Sequence, residues 1–299
     1  MILVELLKRD CKDFRLCLNL VDEQSVIRIL WILLKLNAGK MKISTVVITF
    51  NEERNIERCL RSVMEVSDEI IVVDSYSTDR TIEIAEEFGA RIFKREFEGH
   101  IQQKSWAISQ ASEKYVLSLD ADEALDELLV DYIRKLKEED TPAEGYIFNR
   151  LTNFCGKWIR HCGWYPDRKL RLFRKEHVTV AGLNPHDKFI LPSQAKLKIV
   201  PKGDILHYSF YSISEHIHQI QKFSTIAAES ALKKGRNASV LFDIIGDPIY
   251  TFFKKYFLQL GILDGYYGFV ISINTSYSKF LKYIKLKELH AKKTKEESK

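Results

Sequence analysis

From residue 42 onwards, apolar residues fall into two alternating patterns. Short β-branched runs predict buried strands, and each is followed by a segment whose apolar residues recur at helical spacing. The strand segments are KISTVVITF, EIIVVDS, ARIFKREF and KYVLSLD. The helical segments between them are NEERNIERCLRSVMEV, TDRTIEIAEEFGA and HIQQKSWAISQA. This alternation predicts an α/β fold, with a mostly parallel central sheet and helices on both of its faces.

After residue 144 the regular alternation stops. The aromatic-rich segments that follow predict antiparallel strands: GYIFNRL, KLRLFRK and KLKIVPKGDILHYSF. Long helical patterns come next, over residues 212–234 and 240–260. We therefore expect an N-terminal extension over 1–40, outside the fold, and an α/β domain over 41–235 with halves 41–145 and 146–235. A helical region with a basic tail is expected over 236–299.

The composition is that of a globular protein. The chain has 299 residues, of which 45% are hydrophobic and 29% charged, and this excludes the disordered and fibrous classes. Its five cysteines are odd in number and include no CxxC pair, so neither a disulfide framework nor a zinc site is predicted. A reducing compartment such as the cytosol fits this cysteine usage.

The net charge of +5 lies in the tail, because eight Lys and three Glu follow from Lys279 to the end. The tail comes after an aromatic-rich stretch, FDIIGDPIYTFFKKYFLQLGILDGYYGFVISI. No apolar run reaches the roughly 18–20 residues that span a bilayer. No nucleic-acid motif is present, so the pattern favours peripheral attachment to an anionic membrane surface, at the cytoplasmic leaflet, and not nucleic acid. A buried helical subdomain is the alternative.

Polar side chains follow the first, second and fourth predicted strands. The last of these ends in three acids within four residues, Asp120, Asp122 and Glu123. Carboxylates this close raise one another's pKa unless positive charge lies among them. The carboxyl ends of parallel strands form the ligand-binding edge of such a sheet, and carboxylates suit Mg²⁺ or Mn²⁺. Since neither GxxxxGK[ST] nor GxGxxG is present, a P-loop enzyme or a dinucleotide dehydrogenase is disfavoured.

Three segments in order, TVVITFNEERNIERCLRSV, EIIVVDSYSTDRT and YVLSLDADE, resemble the nucleotide-binding half of family 2 glycosyltransferases with the Rossmann-like GT-A fold. WYPDRKLRLFRK, NPHDKF and GDILHYSF are similar, more narrowly, to bacterial β-glucosyltransferases of lipopolysaccharide core biosynthesis. The resemblance covers residues 42–285. It implies an inverting, metal-dependent enzyme that moves a hexose, glucose above all, from a UDP-sugar to a lipopolysaccharide-core or lipid-linked glycan.

The resemblance also implies roles for single residues. Asp74 matches the acid that hydrogen-bonds the uracil, Asp120 lies near the ribose in the DxD motif, and Asp122 binds the metal. Lys104 departs from the family, since related sequences often carry Asn there, and a diphosphate contact is expected of it. The first-strand motif that contacts the nucleotide is Thr49, Asn51 and Glu52.

Two further roles, that of a metal ligand and that of the base, are expected of residues later in the chain. His207 follows an apolar strand and would complete the metal shell together with Asp122 and Asp120. An inverting transferase needs a base to accept the proton of the acceptor hydroxyl. Asp187, in PHDKF, is the preferred base, although related sequences usually show His-Glu where this chain has His-Asp, and Asp167, in WYPDRK, is the alternative.

Two other functions remain open from the sequence. A sugar-nucleotide nucleotidyltransferase would carry a Gly-rich loop with Arg and Lys after the first strand, and TFNEERN matches that poorly. A non-catalytic membrane-surface binding protein with the same fold would show no turnover.

Overall fold

The structure is a computed structural model that describes residues 41–139, 142–183 and 186–297. The predicted extension over residues 1–40 lies outside the described residues. The strands are β1 (Ile43–Thr49), β2 (Glu69–Asp74), β3 (Arg91–Lys94), β4 (Tyr115–Asp120), β5 (Glu123–Leu125), β6 (Gly145–Phe154), β7 (Lys157–Ile159), β8 (Asp167–Arg174), β9 (Thr179–Leu183), β10 (His186–Ile190) and β11 (Leu197–Phe210). The α-helices are α1 (Ile56–Val63), α2 (Thr81–Glu87), α3 (His100–Gln110), α4 (Glu127–Leu136), α5 (Ile213–Lys233), α6 (Asp247–Phe253) and α7 (Gly265–Glu297).

The first half of the main sheet is parallel, in the order β3-β2-β1-β4. β1, β2 and β4 are largely buried, and because successive side chains point to opposite sides, they pack on both faces of the sheet. Val47 packs in one core cluster with Leu60 of α1. Its neighbour Val46 packs in a second cluster, with Ala107 and Ile108 of α3. The predicted α/β fold with helices on both faces is therefore confirmed.

The second half of the sheet continues through β8, β6, β11 and β5. β8 is antiparallel to both β4 and β6, as predicted. The expected antiparallel pairing of β11 holds for one neighbour only, since β11 is antiparallel to β5 but runs parallel to β6, with Leu197 beside Gly145 at their first residues. The β9–β10 hairpin, a separate two-stranded sheet, occupies the chain between β8 and β11. The chain thereby returns to the edge where β6 begins.

The end of β4 is held beside β11 by the short strand β5. β5 is antiparallel to β11, and His207 faces Glu123 in that register. The backbone N–H of Tyr208 also donates to the carbonyl oxygen of Asp122, at 2.9 Å. The strand pairing therefore brings His207 to the acidic stretch, although 84 positions separate it from Glu123 in the printed numbering.

The C-terminal region is helical, as predicted. Ser212 caps α5 in a capping box with Glu215. Beyond α5 come π-helical turns at Val240–Gly246 and Lys254–Leu258 on either side of α6, then a 3-10 turn at Gly261–Asp264 before α7. Within the described part of the chain, no single helix is long and apolar enough to cross a membrane, whereas the bent pair Val240–Leu258 and Gly261–Thr294, at 70°, passes that test by length and composition.

Candidate functional site

A cleft of about 490 Å³ opens at the carboxyl ends of β1, β2 and β4. Several of the predicted residues line it, and the hydroxyl oxygen of Thr49 is buried there without a hydrogen-bond partner among the described residues. A buried hydroxyl without a partner is costly and is a natural contact for a polar ligand. The lining residues are Ile48, Thr49, Phe50, Glu52, Ser75, Phe97, His100, Gln103, Asp120, Ala121, Asp122 and His207.

Asn51 and Asp74 shape the loops around the cleft and do not line it. Asn51 adopts a left-handed conformation with φ of 52°, which asparagine tolerates better than most residues. Its side-chain oxygen accepts from the backbone N–H of Thr78 at 2.8 Å. Asp74 is fully buried and accepts from both the backbone N–H and the hydroxyl of Ser77. The two residues therefore tie the loop after β1 to the loop after β2.

Glu52 contributes negative charge to the cleft wall. One carboxylate oxygen accepts from the side-chain amide of Asn55 at 2.7 Å. Burial raises the pKa of Glu52, the charges of Asp122, Asp79 and Asp120 raise it further, and the Asn55 hydrogen bond only partly offsets them. The cleft thus holds more negative charge than its own wall neutralises, which favours a bound cation.

Asp120 is neutralised by two buried cations. Lys104, whose side chain is only 4% exposed, places its ammonium 2.9 Å from Oδ1 of Asp120 and 3.0 Å from Oδ2 of Asp187. Arg171 lies 3.1 Å from Oδ2 of Asp120. Burial acts to raise the pKa of Asp120, but Lys104 and Arg171 hold it well below its ordinary value. Lys104 therefore joins the DxD motif to the preferred base, where the sequence predicted a diphosphate contact.

The ion pairs continue beyond Arg171 as a chain of alternating charge. Arg171 lies 2.7 Å from Glu123, which is 0% exposed, and Arg150 lies 3.1 Å from the same carboxylate. Arg150 then pairs with Asp167 at 2.7 Å. We call this the charge chain, and its members are Asp187, Lys104, Asp120, Arg171, Glu123, Arg150 and Asp167. The two candidate bases stand at its opposite ends.

Asp122 is outside the charge chain and pairs with His207. Nε2 of His207 lies 3.1 Å from Oδ2 of Asp122, and its buried Nδ1 has no hydrogen-bond partner among the described residues. The described residues contain no group of three or more His, Cys, Asp or Glu placed to hold a metal ion. Mg²⁺ and Mn²⁺, however, are commonly held by one or two protein ligands together with substrate phosphates. The pair fits a divalent cation that a phosphate-bearing ligand would complete.

Three of the residues that the structure places around the site had no role predicted from the sequence: Glu123, Arg150 and Gln103. Glu123 and Arg150 complete the charge chain, and Gln103 donates to the hydroxyl of Ser75 at 3.1 Å on the cleft wall. Glu123 carried a signal, since it belongs to the acidic run after β4. Arg150 carried none, because only the pairing of β6 with β8 brings it beside Asp167.

Comparison with known proteins places this fold and site in a family. The model for glycosyl transferase family 2 matches residues 44–187. An uncharacterized glycosyltransferase of Rickettsia typhi is 32% identical over 261 residues, which is 84% of this chain and 88% of that protein. The lipopolysaccharide core biosynthesis glycosyltransferase LpsC of Rhizobium meliloti is 28% identical over 272 residues, 85% of this chain and 95% of LpsC. The chain belongs to glycosyltransferase family 2, as its motifs predicted.

Solved structures also align with parts of this chain. S. aureus TarS 1-349 in complex with UDP aligns over 84% of this chain and 92% of TarS, with 13% identity and a TM-score of 0.39. Glucosyl-3-phosphoglycerate synthase of Mycobacterium tuberculosis, in complex with Mn²⁺, UDP and phosphoglyceric acid, aligns over 28% of this chain and 34% of that one, with 31% identity and a TM-score of 0.26. Neither superposition is close enough to transfer the position of a ligand.

Proposed function

We propose that this glycosyltransferase is inverting and metal-dependent, and that it moves a hexose from a UDP-sugar to a lipopolysaccharide-core or lipid-linked glycan. Glucose is the first sugar to test. The observation that carries the proposal is the pairing of Asp122 with His207 at the edge of a cleft whose wall carries uncompensated negative charge.

The donor site is argued from charge. Asp120 and Glu123 are already neutralised by Lys104, Arg171 and Arg150, so they need no further cation. Asp122 has only a histidine beside it and is free to share a divalent cation with a nucleotide diphosphate. When bound, that cation would stabilise the negative charge that develops on the departing diphosphate. A UDP-sugar supplies the diphosphate, and Thr49 offers it a hydroxyl.

The choice of the base rests on a comparison of Asp187 and Asp167, which stand at the two ends of the charge chain. Asp167 pairs with both Arg150 and Lys169, at 2.7 and 3.1 Å. Burial acts to raise the pKa of Asp167, but these two cations outweigh it and lower the pKa, which makes a poor proton acceptor. Asp187 has one such partner, Lys104, and is connected through it to Asp120 in the cleft wall. Asp187 is therefore the base we propose.

The reaction then balances as a single displacement. The acceptor hydroxyl attacks the anomeric carbon of the donor sugar and its proton passes to the carboxylate of Asp187. The bond from the anomeric carbon to the diphosphate oxygen breaks, and UDP leaves with the electron pair. Attack from the face opposite the leaving group inverts the configuration at that carbon.

The donor site is tested by titration calorimetry of UDP, with and without Mn²⁺, on wild type and Asp122→Ala. We expect wild type to bind UDP only with Mn²⁺ and Asp122→Ala to lose at least about tenfold in affinity, the loss of one charged ligand. Asp131→Ala is the control, since Asp131 is an exposed acid paired with Arg134 outside the cleft. Wild type that binds UDP equally without Mn²⁺, or not at all, contradicts the proposal.

The rival functions are separated by product. A glycosyltransferase consumes a UDP-sugar and releases UDP in the presence of acceptor or water. A nucleotidyltransferase instead makes the UDP-sugar from UTP and a sugar phosphate, with release of pyrophosphate. A binding protein binds UDP and releases neither product. Release of UDP by wild type, abolished in Asp122→Ala, supports the proposal, and either of the other outcomes replaces it.

A further inference from the structure

The helices near the C-terminus expose apolar side chains along one stripe. Six large apolar residues between Val240 and Gly261 recur every three or four positions, which places them on one side of the helical path. Each has between 47% and 75% of its surface exposed. These residues are Phe242, Ile245, Ile249, Phe253, Phe257 and Leu260.

A second stripe runs along the first half of α7. It repeats at the same spacing and consists of Tyr266, Phe269, Ile273, Tyr277 and Phe280, all exposed by 37% or more. The two stripes are linked through the partly buried rings of Phe252 and Tyr256, which lie 5.9 and 5.7 Å from the ring of Phe269 and also contact Phe253 and Phe257 of the first stripe. Leu258, Ile262 and Leu263, at the bend between the helices, are exposed too. We call these two stripes and the bend the outer face.

The inner side of the same helices is mixed, because Ile271, Leu281 and Leu286 of α7 are buried there together with polar side chains. Thr251, Asp264, Ser272 and Asn274 are all at least nine-tenths buried. Asp264 accepts from the backbone N–H of His161 at 2.8 Å, and Asn274 is hydrogen-bonded to His216 at 3.0 Å. A helix pair that faces water would bury its apolar side and expose its polar one. This pair buries several polar side chains and exposes a second, large apolar side, which is the arrangement expected where part of the outer surroundings is apolar.

We propose that the outer face docks on an anionic lipid bilayer and lies in its interfacial layer. Contiguous apolar surface of this extent is uncommon on proteins that meet only water. Phe, Tyr, Leu and Ile side chains are those that enter the headgroup and acyl boundary, and lysines beside them attract anionic lipid. Lys254 is exposed next to the first stripe, and Lys279 and Lys282 flank Phe280 at the end of the second.

A second copy of the chain fits the outer face less well than lipid. In a symmetric dimer the same patch meets itself, so the lysines beside the outer face of one copy would be brought towards an equally basic surface of the other. Between Lys279 and the C-terminus the chain carries eight Lys against three Glu, and such like charge opposes the contact. An anionic membrane surface instead complements this charge.

The outer face is tied firmly to the half of the domain that follows β6. Lys157 donates to the carbonyl oxygen of Asp264 at 2.7 Å, and Lys255 donates to that of Cys162 at 2.8 Å. Docking would therefore fix the orientation of the loop around residues 155–162 relative to the bilayer. If the proposed function holds, a lipid-linked acceptor is presented to this half of the protein; the membrane contact itself does not depend on the sugar transferred.

The test is flotation of the full chain with vesicles of phosphatidylcholine alone and of phosphatidylcholine with one quarter phosphatidylglycerol. The test variant replaces three exposed residues of the outer face, and the control replaces three apolar residues elsewhere whose side chains are exposed by 48–60%. They are Phe242→Ser, Phe253→Ser and Leu258→Ser in the test variant, and Met64→Ser, Leu128→Ser and Leu197→Ser in the control.

We expect wild type and control to float with the anionic vesicles and the test variant to partition at least tenfold less. Binding should also weaken as salt rises, because screening reduces the contribution of the lysines. Titration of UDP with Mn²⁺ on the same variants separates this inference from the proposed function, since the outer face is remote from the cleft lining and UDP affinity should not change. Wild type that fails to float, floats equally with neutral vesicles, or forms a dimer that only the test variant dissociates overturns the inference.

Discussion

The cleft and the outer face both reverse the usual distribution of residues, but in opposite ways. At the cleft, charged side chains are buried: Lys104, Glu123 and Arg171 are each at most 5% exposed. At the outer face, large apolar side chains such as Phe242 and Leu258 are more than 70% exposed. Each reversal carries a free-energy cost, and each site handles that cost differently.

The difference lies in where the compensating partner is. In the charge chain the compensation is internal, because every acid contacts a lysine or arginine of the same protein at 3.1 Å or less. Asp122 is not a member of the charge chain, and its ion-pair partner in the cleft is His207. No described part of the chain covers the outer face, and the partner that we propose for it is an anionic bilayer. The charge chain can therefore be tested by mutation of its own residues, and the outer face by addition of the proposed partner.

Removing Arg171 should give the largest loss of stability. Arg171→Met leaves the fully buried Glu123 with Arg150 alone and Asp120 with Lys104 alone, and breaking a buried pair in this way costs about 3–5 kcal/mol. The free energy of unfolding from urea denaturation measures the loss. Arg61→Met is the control, since its pair with Glu57 is exposed by 68% and 58% and should be worth at most about 1 kcal/mol. Equal losses in the two variants would show that the charge chain is not internally compensated.

Removing the base should slow turnover without loss of donor binding. Asp187→Asn keeps the shape of the side chain but cannot accept a proton, so turnover should fall by about 10²–10⁴-fold while UDP affinity stays within about threefold. Asp167→Asn is the matched variant at the other end of the charge chain. It should reduce turnover far less, because Arg150 and Lys169 already lower the pKa of Asp167. A larger kinetic loss in Asp167→Asn would exchange the two roles.

Local pattern was enough to predict the elements but not the links between them. KISTVVITF and KYVLSLD became β1 and β4, and the acids after β4 were found because they follow a buried strand. The parallel pairing of β11 with β6 was not predicted, because the direction depends on the β9–β10 hairpin that intervenes. Helical spacing predicted α5 and the segment that contains α6 but could not say which side faces the protein.

The charge chain escaped prediction for the same reason. A diphosphate contact is expected of Lys104 from the resemblance to the family, whereas its ion-pair partners Asp120 and Asp187 are visible only in the structure. Its contact with Asp187 joins residues 83 positions apart, and that of Arg171 with Asp120 joins residues 51 apart. Contacts between residues so far apart in the sequence follow from the order of the strands and from packing, which no local pattern encodes. The ion pairs between these cations and the acids of the DxD motif could therefore be found only in the folded structure.

The junction between the two regions should respond to pH, with a smaller effect than the two changes above. His216 of α5 is buried against Phe154 and Phe210 and accepts from the side-chain amide of Asn274 in α7. Burial lowers the pKa of His216 from 6.5 to about 4. Between these two values the unfolded chain binds a proton at this site and the folded chain does not, so stability falls as pH drops from 6.5 to 4. The loss attributable to His216 is about 3 kcal/mol once pH reaches the lower value.

The measurement is the free energy of unfolding at several pH values between 4 and 7, for wild type, His216→Gln and His218→Gln. His216→Gln cannot titrate, and its stability should therefore depend less on pH in this window than that of wild type, although it is lower at pH 7. His218 is exposed on the same helix, so His218→Gln should keep the wild-type slope. If His216→Gln retained the full slope, acid would act at another group, and the burial of His216 beside Asn274 would not be the source of the pH dependence.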